Sequence, residues 1–195
     1  MLQVRLLGQY DVRLGEQPVE IPSRPAQSLL AFLILNAGKA HRRERLAALF
    51  WPESEDANAR SYLRHALWRL RKSLGEDARS NGHFFISDEY SISFDASSDF
   101  WLDAAILDEK VEKDWGKQEY IASVSVYRGD LLQGFDGDWV LLERERLRAV
   151  FHRKMQALLD LLVEAGRWPQ VLEWSERWIA LGGTPEPAYR ALMLA

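Results

Sequence analysis

Every charged side chain between Arg60 and Lys72 is basic, and hydrogen-bonding and aromatic residues lie between these cations. Lysine and arginine bind phosphate oxygens, and arginine can also donate two parallel hydrogen bonds to the edge of a base. A helical face exposed to water usually mixes acids with bases, because pairs of opposite charge stabilise the helix. The absence of acids therefore indicates that this stretch binds a polyanion.

The stretch from Ala57 to Leu74 has the period of an amphipathic helix. At 100° per residue its apolar residues fall within a sector of about 80°, which predicts one buried side. The apolar residues are Leu63, Ala66, Leu67, Leu70 and Leu74. The candidate DNA-binding residues, here called the basic face, are Arg60, Ser61, Arg64, His65, Trp68, Arg69, Arg71 and Lys72. An ordinary solvated face is the alternative, and the lack of acids argues against it.

Trp68 is unusual because the helical period turns it away from the apolar sector. Two interpretations stay open. Its ring lies against a thymine methyl group or a sugar of DNA, or it packs on the acidic second half of the chain and covers the basic face.

The elements around this helix predict a winged helix. Alternating apolar residues in 2–7, 10–14 and 19–21 indicate a small antiparallel meander, and an apolar helix is expected over 26–36. A short helix over 43–50 and a tight segment precede the basic helix, which is the layout of a helix-turn-helix. A β-hairpin should follow, with strands over 83–87 and 90–94 and a turn at Asp88–Glu89.

The second half of the chain reads as helical throughout. We expect helices over 100–110, 117–128, 138–165, 169–181 and from 186 onward. The apolar pattern near Met155 returns about 34 residues later near Tyr189, which is the period of a tetratricopeptide (TPR) repeat. The predicted fold class is therefore an α+β winged helix (residues 1–95) followed by an all-α TPR-like helical domain (residues 96–195). The last helix looks unfinished, so we expect the sequence to be truncated at its C-terminus.

Composition narrows the functional classes. The 195 residues carry a net charge of −4, but residues 1–95 sum to +1 and residues 96–195 to −5. Local charge matters more than the total for phosphate binding, so the acidic average does not exclude DNA. The chain has no cysteine and no apolar run of membrane-spanning length, and its first residues lack the basic-then-apolar layout expected of a signal peptide. These features predict a cytoplasmic protein that does not enter a membrane.

With these pieces in place, the sequence resembles the bacterial regulators of the SARP type, which join an OmpR/PhoB-like winged helix to a bacterial transcriptional activator domain. Two blocks carry the resemblance: LFWPESEDANARSYLRHALWRLRKSLG (49–75) and YRGDLLQGFDGDWVLLERERLR (127–148). It implies an activator that binds double-stranded promoter DNA, often as a homodimer on direct repeats, and contacts RNA polymerase.

The resemblance also implies residue roles and reveals two departures. By position, the family's groove-facing residues correspond to Ser61, Arg64, His65, Trp68 and Arg69. Its phosphate-binding residues correspond to Arg60, Arg71 and Lys72. This chain has Asp88 and Glu89 where the family's wing commonly has Gly and a basic residue, and phosphate would repel both acids. Gly182–Pro185 also replaces the expected sequence at the repeat junction, which would loosen the angle between repeats.

Enzymatic interpretations find less support. The densest acidic group is Asp130, Asp136, Asp138, Glu143 and Glu145, but it lacks calcium-loop spacing and a nearby histidine. No nucleotide-binding or hydrolase motif occurs. We therefore expect no enzyme, no catalytic residue, no metal and no cofactor. The alternative function is a helical-repeat interaction scaffold whose winged helix docks protein rather than DNA.

Overall fold

The computed structural model describes residues 1–75 and 84–195. The chain divides into a first unit, Met1–Val4 with Asp11–Leu102, and a second unit, Arg5–Tyr10 with Asp103–Ala195. The strands are β1 Leu2–Arg5, β2 Asp11–Leu14, β3 Gln17–Pro18, β4 His41–Arg42, β5 Phe85–Ser87, β6 Ser91–Phe94 and β7 Phe100–Leu102. The helices are α1 Arg24–Leu35, α2 Arg43–Phe50, α3 Asp56–Ser73, α4 Asp103–Asp108, α5 Lys117–Ser125, α6 Asp138–Glu164, α7 Trp168–Ala180 and α8 Glu186–Leu194.

The described residues of the first unit form two sheets and three helices. One sheet has the strand order β3-β2-β1-β7, and the other has the order β4-β6-β5. Helix α3 packs on both α1 and α2. The apolar sector predicted for α3 is fully confirmed, since all five of its residues are buried. That burial fixes the rotation of α3 about its own axis, and thereby decides which of its side chains reach solvent.

The predicted hairpin is confirmed, and it belongs to a slightly larger sheet. β5 pairs antiparallel with β6, whose other edge pairs with β4 just before α2. We call β5, β6 and the turn between them the wing. Its base is anchored by Phe94, which is fully buried and contacts the rings of Phe84 and Phe85. The predicted first strand began at His83, which lies outside the described residues.

The helix predicted over 100–110 is wrong in its first part. Phe100–Leu102 form β7, which pairs in parallel with β1 so that Leu2 lies opposite Phe100 and Val4 opposite Leu102. The helix begins only at Asp103 and ends at Asp108. Hydrogen bonding with β1, nearly one hundred residues earlier, satisfies the backbone of this segment, and no local pattern records that partner.

This pairing also bears on the division into domains. The domain boundary between residues 95 and 96 stays a prediction. The two compact units divide after Leu102, and the short segment Arg5–Tyr10 belongs to the second unit. The strand β7 therefore lies with the winged helix. The second unit consists of two pieces of chain rather than one.

A buried carboxylate holds the two pieces of the second unit together. Asp103 is only 2% exposed, and its oxygens accept hydrogen bonds at 2.9 Å from the backbone N–H groups of Leu6 and Leu7. A third N–H, that of Ala104, donates at 2.7 Å. Because a buried carboxylate needs several donors to offset its lost hydration, this cluster fixes the position of residues 5–10.

The segment of residues 5–10 is also held by close contact between the backbone of Gly8 and that of residues 128–130. Gly8 donates its N–H to the carbonyl oxygen of Asp130 at 3.0 Å and has a φ of +96°. A Cβ atom at Gly8 would lie 3.2 Å from the backbone of Arg128. Glycine is required there by both its φ and its contact distance.

Helices α6, α7 and α8 form the predicted TPR-like repeat. The 27-residue α6 packs on α7, and α7 packs on α8. Between α6 and α7 the ring of Phe151 lies 6.2 Å from that of the buried Trp178, and on its other side it stacks on Tyr127 at 4.0 Å. The large residues of successive helices therefore interlock as the period indicated.

Candidate nucleic-acid interface

Helix α3 is built to present one side to solvent. Its buried sector faces the core of the first unit, and its charge distribution suits the helix dipole, with Asp56 in the first turn and Arg71 and Lys72 in the last. The hydroxyl of Ser73 donates to the carbonyl oxygen of Glu20 at 3.0 Å and ties the C-terminal end to the loop before α1. The helix is thus held along its length by one side only.

The structure places most of the basic face in solvent. Six of its eight residues are exposed, namely Arg60, Arg64, His65, Trp68, Arg69 and Lys72, and the other two, Ser61 and Arg71, are half-buried. No acid of α3 lies between Arg60 and Lys72, so the charged side chains of this part of the helix are all positive. The exposed surface of the helix has the charge and the shape expected for a helix that enters a groove of nucleic acid.

Arg71 differs from the other cations of the basic face. Its guanidinium donates to the hydroxyl oxygen of Ser87 on β5 at 2.6 Å. This bond joins the helix to the wing, so Arg71 positions the wing in addition to any phosphate it contacts. Its role in phosphate binding stays a prediction.

A groove runs between α3 and the wing. It is lined on the helix side by Arg60 and Arg64, and on the other side by Arg42, Arg43 and the turn of the wing. The sequence reasoning missed Arg42 and Arg43 as candidates, because they lie at the junction of β4 and α2, outside the basic helix, and β4 pairs with β6 of the wing only in the folded chain. Four arginines therefore line the groove together with three acids, Glu44, Asp88 and Glu89.

Arg43 connects this groove to the wing. Its backbone N–H donates to the carbonyl oxygen of Tyr90 at 2.9 Å, and its side chain donates to that of Asp88 at 3.0 Å. Burial and the nearby Arg71 guanidinium lower the pKa of Arg43, whereas the nearby Asp88 carboxylate opposes that shift. Arg43 remains charged near neutral pH.

The turn of the wing differs by one residue from the predicted one. Asp88 donates its N–H to the carbonyl oxygen of Ser91 at 3.1 Å, so the two-residue tip is Glu89–Tyr90 rather than Asp88–Glu89. The Asp88 carboxylate accepts hydrogen bonds from the N–H groups of Tyr90 and Ser91 at 2.7 and 2.6 Å. Bonds from the Ser91 hydroxyl and these amides lower the pKa of Asp88. Asp88 therefore stabilises the turn, and both Asp88 and Glu89 are exposed.

We expect Glu89→Lys to strengthen non-specific binding to duplex DNA and to steepen its dependence on salt. The substitution replaces a repelled carboxylate with a cation at the tip of the wing, and each added phosphate contact changes the salt slope by about 0.9. The measurement is fluorescence anisotropy on a random-sequence duplex at two salt concentrations. Asp88→Lys is the poorer test, because it also removes the bonds that close the turn. An unchanged slope for Glu89→Lys would place the wing tip away from the duplex.

Several acidic residues of the second unit have protein partners. Asp130 accepts hydrogen bonds from the Tyr127 hydroxyl at 2.8 Å and from the Arg148 guanidinium, which lower its pKa. Glu143 pairs with Arg146, which also contacts Asp108 at 2.7 Å. Within residues 1–75 and 84–195 no cluster of three or more acidic or histidine side chains has the geometry of a metal site. These carboxylates connect helices and loops of the second unit.

No helix in the described ranges is both long enough and apolar enough to cross a bilayer.

The comparisons with known proteins agree with this architecture. Residues 115–195 match the family described as Bacterial transcriptional activator domain. The chain therefore combines this activator domain with a winged helix, which is the architecture of a SARP-type bacterial transcriptional regulator and confirms the resemblance found in the sequence.

A solved structure supports the same fold over nearly the whole chain. The chain is similar to EmbR of Mycobacterium tuberculosis, determined in complex with a low-affinity phosphopeptide, with a TM-score of 0.76 and 18% sequence identity. The match covers 98% of this chain and 53% of the EmbR chain, so this sequence spans about half the length of that protein. It confirms the fold class of an α+β winged helix followed by TPR-like helices. No curated protein sequence matches the chain.

Proposed function

We propose that this chain binds double-stranded promoter DNA through the basic face of α3 and regulates transcription as an activator. The observation that carries the proposal is the exposure of six basic-face residues on a helix without an acid between Arg60 and Lys72. The class of protein supports it, because SARP-type regulators act on transcription. The proposal assigns no catalytic role to either unit.

The dimensions of α3 support a place in the major groove. A helix of 18 residues is about 27 Å long, and the major groove is about 12 Å wide, enough to admit one helix. The groove between α3 and the wing lies beside that helix, where a phosphate backbone would pass. Arg42 and Arg43 are the residues that we add to the candidate contacts, as phosphate ligands.

The second unit supplies the protein contacts in this proposal. Its net charge is negative and its helical repeat forms surfaces suited to another protein chain. The resemblance to SARP-type regulators names RNA polymerase as the partner and a second copy of the chain on direct repeats as the assembly. Such a regulator acts in the cytoplasm, where bacterial promoters are accessible.

The test is a selection of duplex DNA by the intact chain. We expect repeated rounds on a random-sequence pool of about 30 base pairs to enrich one motif, here called the selected duplex. Its affinity should exceed that of the starting pool by at least about a thousandfold. The slope of log affinity against log salt, measured by anisotropy at several salt concentrations, should be negative and about −0.9 for each phosphate bound. Failure to enrich any motif, together with a flat salt dependence, would overturn DNA binding.

The second candidate function is an interaction scaffold, and one observation favours it. The tip of the wing carries the exposed Glu89, a charge that suits a basic protein better than a phosphate backbone. In that case the chain would show no preference among duplexes, and Glu89→Lys would leave DNA affinity unchanged at every salt concentration. An unchanged Glu89→Lys result supports the scaffold only together with the lack of preference among duplexes, and that preference separates the two functions.

A further inference from the structure

Trp68 is the one aromatic residue of the basic face, and it is 57% exposed. Its neighbours on the surface of the helix, Arg64, His65, Arg69 and Lys72, are all exposed and polar. More than half of this large apolar ring is in contact with water, so covering it with an apolar group would lower its free energy. A partner that presents an apolar group to the middle of α3 would supply that cover.

The orientation of the Trp68 ring is held by its own helix. The ammonium of Lys72, one turn further along, lies 5.0 Å from the centre of the indole ring. A cation above an aromatic face is attracted by the electrons of the ring, and this pair restricts the indole to one side. The opposite side and the outer edge stay available to a ligand.

We propose that Trp68 contacts the 5-methyl group of a thymine, so that this chain prefers thymine at one position of its site. The inference rests on the proposed function, in which α3 enters the major groove. The thymine methyl group is the apolar group that base pairs present there, whereas the other base edges offer hydrogen-bond donors and acceptors. Trp68 would thus contact the methyl group, while the cations around it contact phosphates and the polar edges of bases.

The indole N–H offers a competing explanation for a base preference. It is a hydrogen-bond donor and could donate to the O4 of thymine or to an acceptor on guanine. Uracil keeps the O4 of thymine and lacks only the methyl group. Replacement of thymine by uracil therefore removes the contact that we propose and leaves the alternative one intact.

The experiment uses the intact chain and the selected duplex, in which each thymine is replaced in turn by uracil. We expect one replacement to weaken binding of the unaltered chain about fourfold, the effect of losing one buried methyl group. The Trp68→Ala variant should bind both duplexes with equal affinity, and Trp68→Phe should keep part of the difference. Tyr62→Ala is the matched control, because Tyr62 is also an exposed aromatic residue of α3, at 47%, but lies outside the basic face. It should keep the full difference.

Each outcome decides a separate question. If no motif is enriched, the proposed function fails, and this inference fails with it. If a motif is enriched but no uracil replacement weakens binding, the thymine contact is overturned while DNA binding stands. An equal loss in the unaltered chain and in Trp68→Ala would assign the methyl contact to another residue. Because Trp68 is exposed, its variants should unfold at the same temperature as the unaltered chain, which circular dichroism can check.

Discussion

Replacing Arg64 and Arg69 together by alanine is expected to weaken binding to the selected duplex by at least about 2 kcal/mol, roughly thirtyfold. Both side chains are exposed on α3, Arg64 beside the groove that leads to the wing and Arg69 on the other flank of the basic face. An arginine that donates two hydrogen bonds to a guanine contributes about 1–3 kcal/mol to discrimination. Anisotropy titrations on the selected duplex and on the random pool measure both the affinity and the specificity.

The matched control for this double variant is Arg190→Ala. Arg190 is an exposed arginine of α8, with a side chain 61% exposed, and its removal changes the total charge without touching the basic face. We expect this control to bind the selected duplex like the unaltered chain. Unchanged affinity in the double variant would show that α3 does not read the site.

Replacing Asp103 by alanine is expected to lower the free energy of unfolding by about 3 kcal/mol. The carboxylate is 2% exposed and accepts hydrogen bonds from the N–H groups of Leu6, Leu7 and Ala104. A buried donor left without an acceptor costs about 1–3 kcal/mol, so the loss exceeds that of any exposed acid. Urea denaturation followed by circular dichroism measures the change.

Asp160→Ala is the control for this substitution, because Asp160 is an exposed acid of α6. It should change the free energy of unfolding by less than about 0.5 kcal/mol. The loss of unfolding free energy in Asp103→Asn should lie between the losses in these two variants. The amide oxygen of asparagine still accepts a hydrogen bond, but its NH₂ group faces other donors. A loss of under 1 kcal/mol in Asp103→Ala would mean that water replaces the carboxylate, and residues 5–10 would then be held chiefly by their other bonds.

Local periodicity was sufficient to predict the helix that carries the candidate site. The apolar residues of α3 lie on one side, so their burial determines which residues reach solvent, and Arg64 or Lys72 can be assigned from spacing alone. The repeat of α6 to α8 was predictable for the same reason. In both cases the residues that form the pattern lie within a few helical turns of one another in the sequence.

The features that escaped prediction depend on pairs distant in sequence. The strand β7 forms because β1 offers its edge, and a segment as short as Phe100–Leu102 is compatible with either a helix or a strand. Arg42 lies in β4, which pairs with β6 of the wing only in the folded chain. The wing turn lies one residue later than predicted, because the Asp88 carboxylate accepts hydrogen bonds from the two backbone amides of Tyr90 and Ser91. The types of the turn residues alone do not indicate which of these two positions the turn takes.

The separation between Leu6 and Asp103 has a consequence for how the protein forms during translation. The two residues are 97 positions apart, and at about 5–20 residues per second a ribosome needs roughly 5–20 s to add that length. Leu6 and Leu7, which are buried in the finished fold, leave the ribosome before Asp103 and stay uncovered through that interval. The second unit therefore cannot close until the whole winged helix has been synthesised.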